Sequence, residues 1–186
     1  MRCILGFNSG PPITPGAYNN NVQLIQTAHQ VVLLNEMVHN ARIVPLDGRP
    51  HIEMSQWAGD SRGHWEGNTL VVDTTNFTDN TWPVGHGAPP DDAPGTALTT
   101  GHGVFHGGGL HVVERFTFID AGTIRYEATI EDPEVFTQPW TIGFNALRRA
   151  PEDHMLFEYA CHEGNGANLS LMTGADVDAV RVHPIR

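Results

Sequence analysis

Thr69-Leu70-Val71-Val72-Asp73-Thr74-Thr75-Asn76-Phe77 is the stretch whose reading decides the fold class. It is rich in β-branched residues and follows the Gly67-Asn68 pair, so it reads as a strand entered from a turn. Strands are expected on both sides of it. Residues 22–27 and 30–45 precede it, the second read as one long strand rich in Val, Leu and Ile. Residues 110–119, 123–131, 139–147 and 155–161 follow as a meander joined by short turns such as Asp120-Ala121-Gly122. Turns are expected at Leu46-Asp47-Gly48-Arg49-Pro50 and at Gly59-Asp60-Ser61-Arg62-Gly63. Residues 1–21 read as an irregular lead-in, 78–109 as a long loop rich in Gly, Pro and His, and 167–180 as one short helix. Seven or eight strands in up-and-down order predict a single all-β domain over residues 1–186. The expected form is an antiparallel barrel or strongly curved sheet with a cavity or cleft at one end. A sandwich is the competing architecture.

Composition supports a turn-rich β domain and excludes several function classes. The chain has 186 residues, 40% hydrophobic and 17% charged, with 20 Gly and 13 Pro, enough for one domain with a core. A formal net charge of −11 argues against nucleic acid and anionic membranes as partners. All 10 basic residues are Arg. A chain without Lys forms no lysine Schiff base and carries no phosphate-loop lysine. No apolar run approaches the ~20 residues of a membrane-spanning helix. Residues 1–6 contain no apolar core of a signal peptide, so none is expected in this chain. Cys3 and Cys161 sit in no CxxC motif; their spacing fits one disulfide or two buried thiols equally well.

Strand alternation assigns side chains to faces. On residues 110–119, His111, Val113 and Arg115 share one face, and Leu110, Val112, Glu114, Phe116 and Phe118 the other. On 123–131 the apolar face carries Tyr126, which should point inward. Along 30–45, alternation puts Glu36, Val38, Asn40 and Arg42 together. Glu36, Arg42, His111 and Arg115 are thus expected to project into a partly polar interior, as catalytic groups or as a structural set of ion pairs.

Three patterns carry chemistry. Gly59-Asp60-Ser61-Arg62-Gly63 matches GxSxG, but a nucleophile elbow needs a helix after the Ser, and here a strand follows. A hairpin turn is the expectation. His102, His106 and His111 fall at short spacings in the 78–109 loop and the strand after it. Together with His51 they are candidate ligands of a divalent transition metal such as Zn or Cu; a solvated Gly/His loop is the competing reading. Residues 36–73 interleave acids and imidazoles, among them Glu36, His51 and Asp60, with Trp57 and Trp65. That is the inventory of general acid–base work beside an aromatic wall.

The linked motifs Ala41-Arg42-Ile43-Val44-Pro45-Leu46-Asp47-Gly48-Arg49-Pro50-His51 and Gly59-Asp60-Ser61-Arg62-Gly63-His64-Trp65-Glu66-Gly67-Asn68, followed by the strand quoted first, resemble a family of uncharacterised bacterial proteins from soil and metagenomic sequences. His111-Val112-Val113-Glu114-Arg115-Phe116, Glu131-Asp132-Pro133, Pro139-Trp140-Thr141 and Tyr159-Ala160-Cys161 extend the resemblance over most of residues 17–165. It implies a lipocalin-like fold, a disulfide between Cys3 and Cys161, and an extracytoplasmic location. His102 and His106 fall outside the shared pattern, and the family supplies no activity.

The residues together predict an enzyme acting on a small molecule or carbohydrate by acid–base hydrolysis or elimination, with or without a metal. Glu36, His51, Asp60 and His111 are the catalytic candidates. Arg42, Arg49 and Arg115 would hold an anionic group, and Trp57, Trp65 and Tyr126 would line the pocket. The alternatives are a calycin-like binding protein for an apolar or sugar ligand, and a protomer whose open edge pairs with another copy.

Overall fold

The computed structural model describes residues 4–6, 8–16, 18–78 and 106–161. The helix expected at 167–180 and residues 79–105 of the expected loop lie outside them, as do Cys3 and His102. The protein is all-β. Eight strands run β1 (Val22–Gln26), β2 (Gln30–Asn35), β3 (Ala41–Pro45), β4 (Asp60–Glu66), β5 (Thr69–Thr75), β6 (His111–Asp120), β7 (Thr123–Glu131) and β8 (Trp140–Arg148). The helical content among the described residues is a single 3-10 turn at Met37–His39. Every strand pairs antiparallel with its sequence neighbour inside its sheet.

The strands divide into two sheets, β1-β2-β3 and β4-β5-β6-β7-β8, and no closed barrel forms among the described residues. The reason lies where β3 hands over to β4. A Cβ on Gly63 would lie 2.7 Å from Val44 Cγ1 and 2.9 Å from Leu46 Cδ2. The inner face of β4 is therefore pressed onto the inner face of β3, and the two strands stack where a barrel would zip them edge to edge. One core fills the space between the sheets, with Val31, Leu33 and Val44 from the first and Leu70, Val72, Val112, Phe116, Tyr126, Ala128 and Ile130 from the second.

Three local expectations need correction. Residues 30–45 form a hairpin: the chain turns at Val38 (φ 57°) and His39 (φ 41°), and Asn35 N donates to Asn40 O at 2.9 Å. Strand alternation stops at that turn, so Glu36 and Arg42 do not share a face. Residues 60–63 open β4, with the turn ahead of them: Gly59 has φ 67° and sits against Thr74 and Phe77. Ser61 is buried and bonds Thr74 Oγ1 at 2.9 Å, which removes the nucleophile reading. Residues 155–161 form no strand; Phe157 N donates to the Glu36 carboxylate at 3.2 Å in place of a ladder carbonyl. The lead-in is irregular as expected, yet Asn8, Ser9 and Ile13 are buried and close one side of the core.

An ionic network ties these layers together. Arg42 on β3 forks onto Glu114 on β6, Nη1 to Oε2 and Nη2 to Oε1 at 3.0 Å. Tyr126 Oη on β7 donates to Glu114 Oε1 at 2.8 Å and accepts from Ile13 N at 2.8 Å. All three side chains are buried. Burial first, and then the Glu114 charge, push the Tyr126 phenol well above its usual pKa, so it remains a donor. Tyr126 also packs between Phe116, at 5.0 Å, and Phe144, stacked at 5.9 Å. Replacing one partner of a buried pair strands the other charge, at a cost of ~3–5 kcal/mol. Glu114→Leu should therefore lose stability on that scale in urea denaturation. A loss below ~1 kcal/mol would show that the network does not hold the sheets.

Candidate functional site

The five-stranded sheet turns its second face outward, and the strand registers set what meets there. Arg62 on β4 lies opposite Asp73 on β5, and His111 on β6 opposite Glu131 on β7. These positions alternate with the core positions, so the same periodicity that buries Val72, Val112 and Ile130 exposes an acid–imidazole row. The connection between β3 and β4 folds back over this row and adds His51. It is tied down by Arg62, whose Nε and Nη2 donate to Pro50 O at 3.0 and 2.9 Å. Ile52 N adds a bond to Asp60 Oδ2 at 2.9 Å.

The result is an unbroken chain of partners. Arg62 Nη1 donates to Asp60 Oδ1 at 2.6 Å. His51 Nδ1 lies 3.1 Å from Asp60 Oδ2, and His51 Nε2 lies 3.0 Å from Asp73 Oδ1. Asp73 Oδ2 takes the next bond, from His111 Nε2 at 3.0 Å. Beyond it, His111 Nδ1 stands 3.8 Å from Glu131 Oε2, within reach of its charge but long for a hydrogen bond. The chain runs from a buried end to an open one: the Asp60 side chain is 9% exposed, that of His111 36% and that of Glu131 51%.

The electrostatics follow that gradient. Burial alone would push Asp60 up, but Ile52 N–H, Arg62 and His51 more than offset it and hold it below the usual carboxylate range. Asp73 is lowered chiefly by its bond from His111, against partial desolvation. His111 is raised chiefly by the same bond, with the charges of Asp73 and Glu131 adding to it. Asp73 thus stays a carboxylate, while His111 keeps its proton to higher pH than a free imidazole. Its Nε2–H is committed to Asp73, which leaves Nδ1 on the side of Glu131.

Comparison with family models, with curated proteins and with solved structures returned no match. The chemistry of the site is therefore read from its own atoms.

Of the residues expected to work together, the structure unites His51, Asp60 and His111 and separates the rest. Glu36 is buried elsewhere, accepting from Asn21 Nδ2 at 2.6 Å and from Phe157 N. Burial raises its pKa, and those two bonds reverse the effect and leave it lowered. Arg42 and Tyr126 belong to the buried core network between the sheets. Arg49 is held by Asp47 within its own turn, its Nε 2.9 Å from Oδ1, and Asp47 is drawn down to about 2 chiefly by that bond. Arg115 reaches Glu66 Oε2 at 2.7 Å on the outer face, so its expected inward projection is wrong, as is that of His111. Trp57 is partly exposed, and Trp65 leans on Phe118 at 5.7 Å.

The metal expectation finds no cluster to rest on. Among the described residues, no group of three or more His, Cys, Asp or Glu side chains is arranged to hold a metal ion. His51 and His111 direct ring nitrogens at carboxylates, and His106 Nδ1 lies 3.0 Å from Gly107 O. Sequence reasoning left Arg62 and Glu131 out of the site, and counted Asp73 among the acids of residues 36–73 without giving it a role. The usable signal was the alternation that puts Asp73 opposite the apolar face of its strand.

The pKa directions fix a pH window. His111, raised in the fold, contributes stability that is complete below its unfolded value of 6.5 and is lost as pH rises through the higher folded value. Asp73, lowered in the fold, contributes stability present above its unfolded value of 3.8 and lost as pH falls through the lower folded value. The pair is therefore fully effective between those two unfolded values. In an NMR titration His111 should show a midpoint above 6.5, and Asp73→Asn should bring it down. An unchanged midpoint in that variant would break the assigned pairing.

Proposed function

We propose that the protein is an acid–base enzyme acting on a small polar molecule, carbohydrates included, by hydrolysis or elimination at the outer face of the large sheet. The observation that carries this reading is the imidazole of His111. It is fixed at Nε2 by a committed carboxylate, raised in pKa, and open at Nδ1 beside a second, exposed carboxylate. In this role Asp73 holds the ring and its tautomer. His111 Nδ1 delivers a proton to the departing group, and Glu131 takes one from the attacking water or from the carbon losing it. His51, Asp60 and Arg62 do not touch substrate; they hold Asp73 and the β3–β4 connection in position.

A pH dependence follows from this assignment. Because His111 works protonated, turnover should hold through the acidic side of neutrality and fall as pH rises through its raised pKa. The assay is a panel of p-nitrophenyl esters and p-nitrophenyl glycosides. His111→Gln should reduce turnover of any responsive substrate by ~10²-fold or more. Full activity in that variant, or a panel without turnover, would count against the proposal.

The location proposal is extracytoplasmic, and it stands on a Cys3–Cys161 disulfide. Mass spectrometry without reductant should find the protein lighter by two hydrogens than the sum of its residues. Two free thiols would remove both the bridge and the location that depends on it.

A further inference from the structure

A concavity lies on the other side of the large sheet from His111, between the lead-in, the small sheet and β8. It is a half-enclosed recess of about 220 Å³, and its lining includes the amides of Asn8, Asn19, Asn20 and Asn35 together with Phe144 and Leu147. No residue of the lining carries a charge, although the chain has 21 acidic and 10 basic residues.

The amides of Asn8, Asn20 and Asn35 are held by hydrogen bonds before any ligand arrives. Asn8 Nδ2 donates to Asn19 O at 3.0 Å, to Asn20 Oδ1 at 3.1 Å and to Tyr18 O at 3.3 Å. Asn20 Oδ1 also accepts from Gly16 N at 2.6 Å, while its Nδ2 donates back to Gly16 O at 2.9 Å. Asn35 Nδ2 is spent on Ser9 O at 3.1 Å. One acceptor is left over. Asn8 is buried, and its Oδ1 has no hydrogen-bond partner. Buried carbonyls are rarely left so, and the missing group is a donor. Phe144, stacked on Tyr126, adds a fixed apolar wall.

We propose that this recess binds one neutral, hydroxyl-rich ring of monosaccharide size. The volume is below the ~300–1,000 Å³ of drug-sized sites, which limits the occupant to about one ring. A lining without cations gives a carboxylate or phosphate no partner, and one without anions gives an amine none. Fixed amides beside an aromatic wall suit a molecule with polar edges and an apolar C–H face. The site does not depend on the acid–base reading, since it lies on the other face of the sheet from His111.

The test is ligand-observed saturation-transfer NMR with glucose, galactose, N-acetylglucosamine and, as the charged control, glucuronate. At least one neutral sugar should receive saturation and glucuronate should not. Ala146→Trp, on the recess wall, should weaken binding at least tenfold with the thermal midpoint unchanged. Thr14→Phe closes the same recess from the lead-in should the first variant fail to fold. Absence of transfer to all three neutral sugars would overturn the proposal, as would equal binding of glucuronate. Binding that survives both occluding variants would place the sugar elsewhere and overturn it too. His111→Gln should bind the sugar as the parent does, and loss in that variant would show that the recess is not a separate site.

Discussion

The fork of Arg42 onto Glu114 is the constraint on which the rest of the structure depends. It is a charged bond across the core, and Tyr126 extends it to the backbone of Ile13 in the lead-in. Two sheets and an irregular segment are thereby fixed to one carboxylate. Hydrophobic burial would let two apolar faces slide on each other, because it has no direction. A bidentate guanidinium–carboxylate pair does not slide. It sets which residue of β3 lies over which residue of β6.

With the interior settled in this way, the outer face of the large sheet is free to carry charge. The division is sharp along β6, where Val112, Glu114 and Phe116 face the core while His111, Val113 and Arg115 face out. Both faces carry carboxylates, and their partners differ. Inside, Glu114 meets a guanidinium that is charged at any working pH. Outside, Asp73 meets two imidazoles, and its bond raises the pKa of one of them, His111. The first arrangement suits a permanent fastening, and the second suits a group that must gain and lose a proton.

Much of this was legible from residue order. The all-β class, the ends of β7 and the inward placement of Tyr126 follow from β-branched runs and a two-residue period. The errors arose where a local signal had to predict a tertiary partner. Residues 30–45 read as one strand because Val38, although β-branched, adopts a left-handed conformation that only the finished hairpin makes tolerable. Residues 155–161 have strand composition but find a carboxylate where a strand partner would be needed. The site was half visible: His51, Asp60 and His111 could be named as types. Asp73 joins them only through the register of β5 against β6, and no spacing in the sequence encodes that register.

That register has a consequence for how the protein can go wrong. A slip of β6 along β5 by one residue would turn its apolar side chains to water and be rejected at once. A slip of two residues keeps every face correct, leaves the strand content untouched and moves Asp73 about 7 Å along from His111. Such a chain would keep its strand content while the acid–imidazole row outside and the Arg42–Glu114 fork inside were both broken. Fork and row thus mark one alignment from the two faces of the same strand, and the protonation of His111 reports on the outside what the fork enforces within.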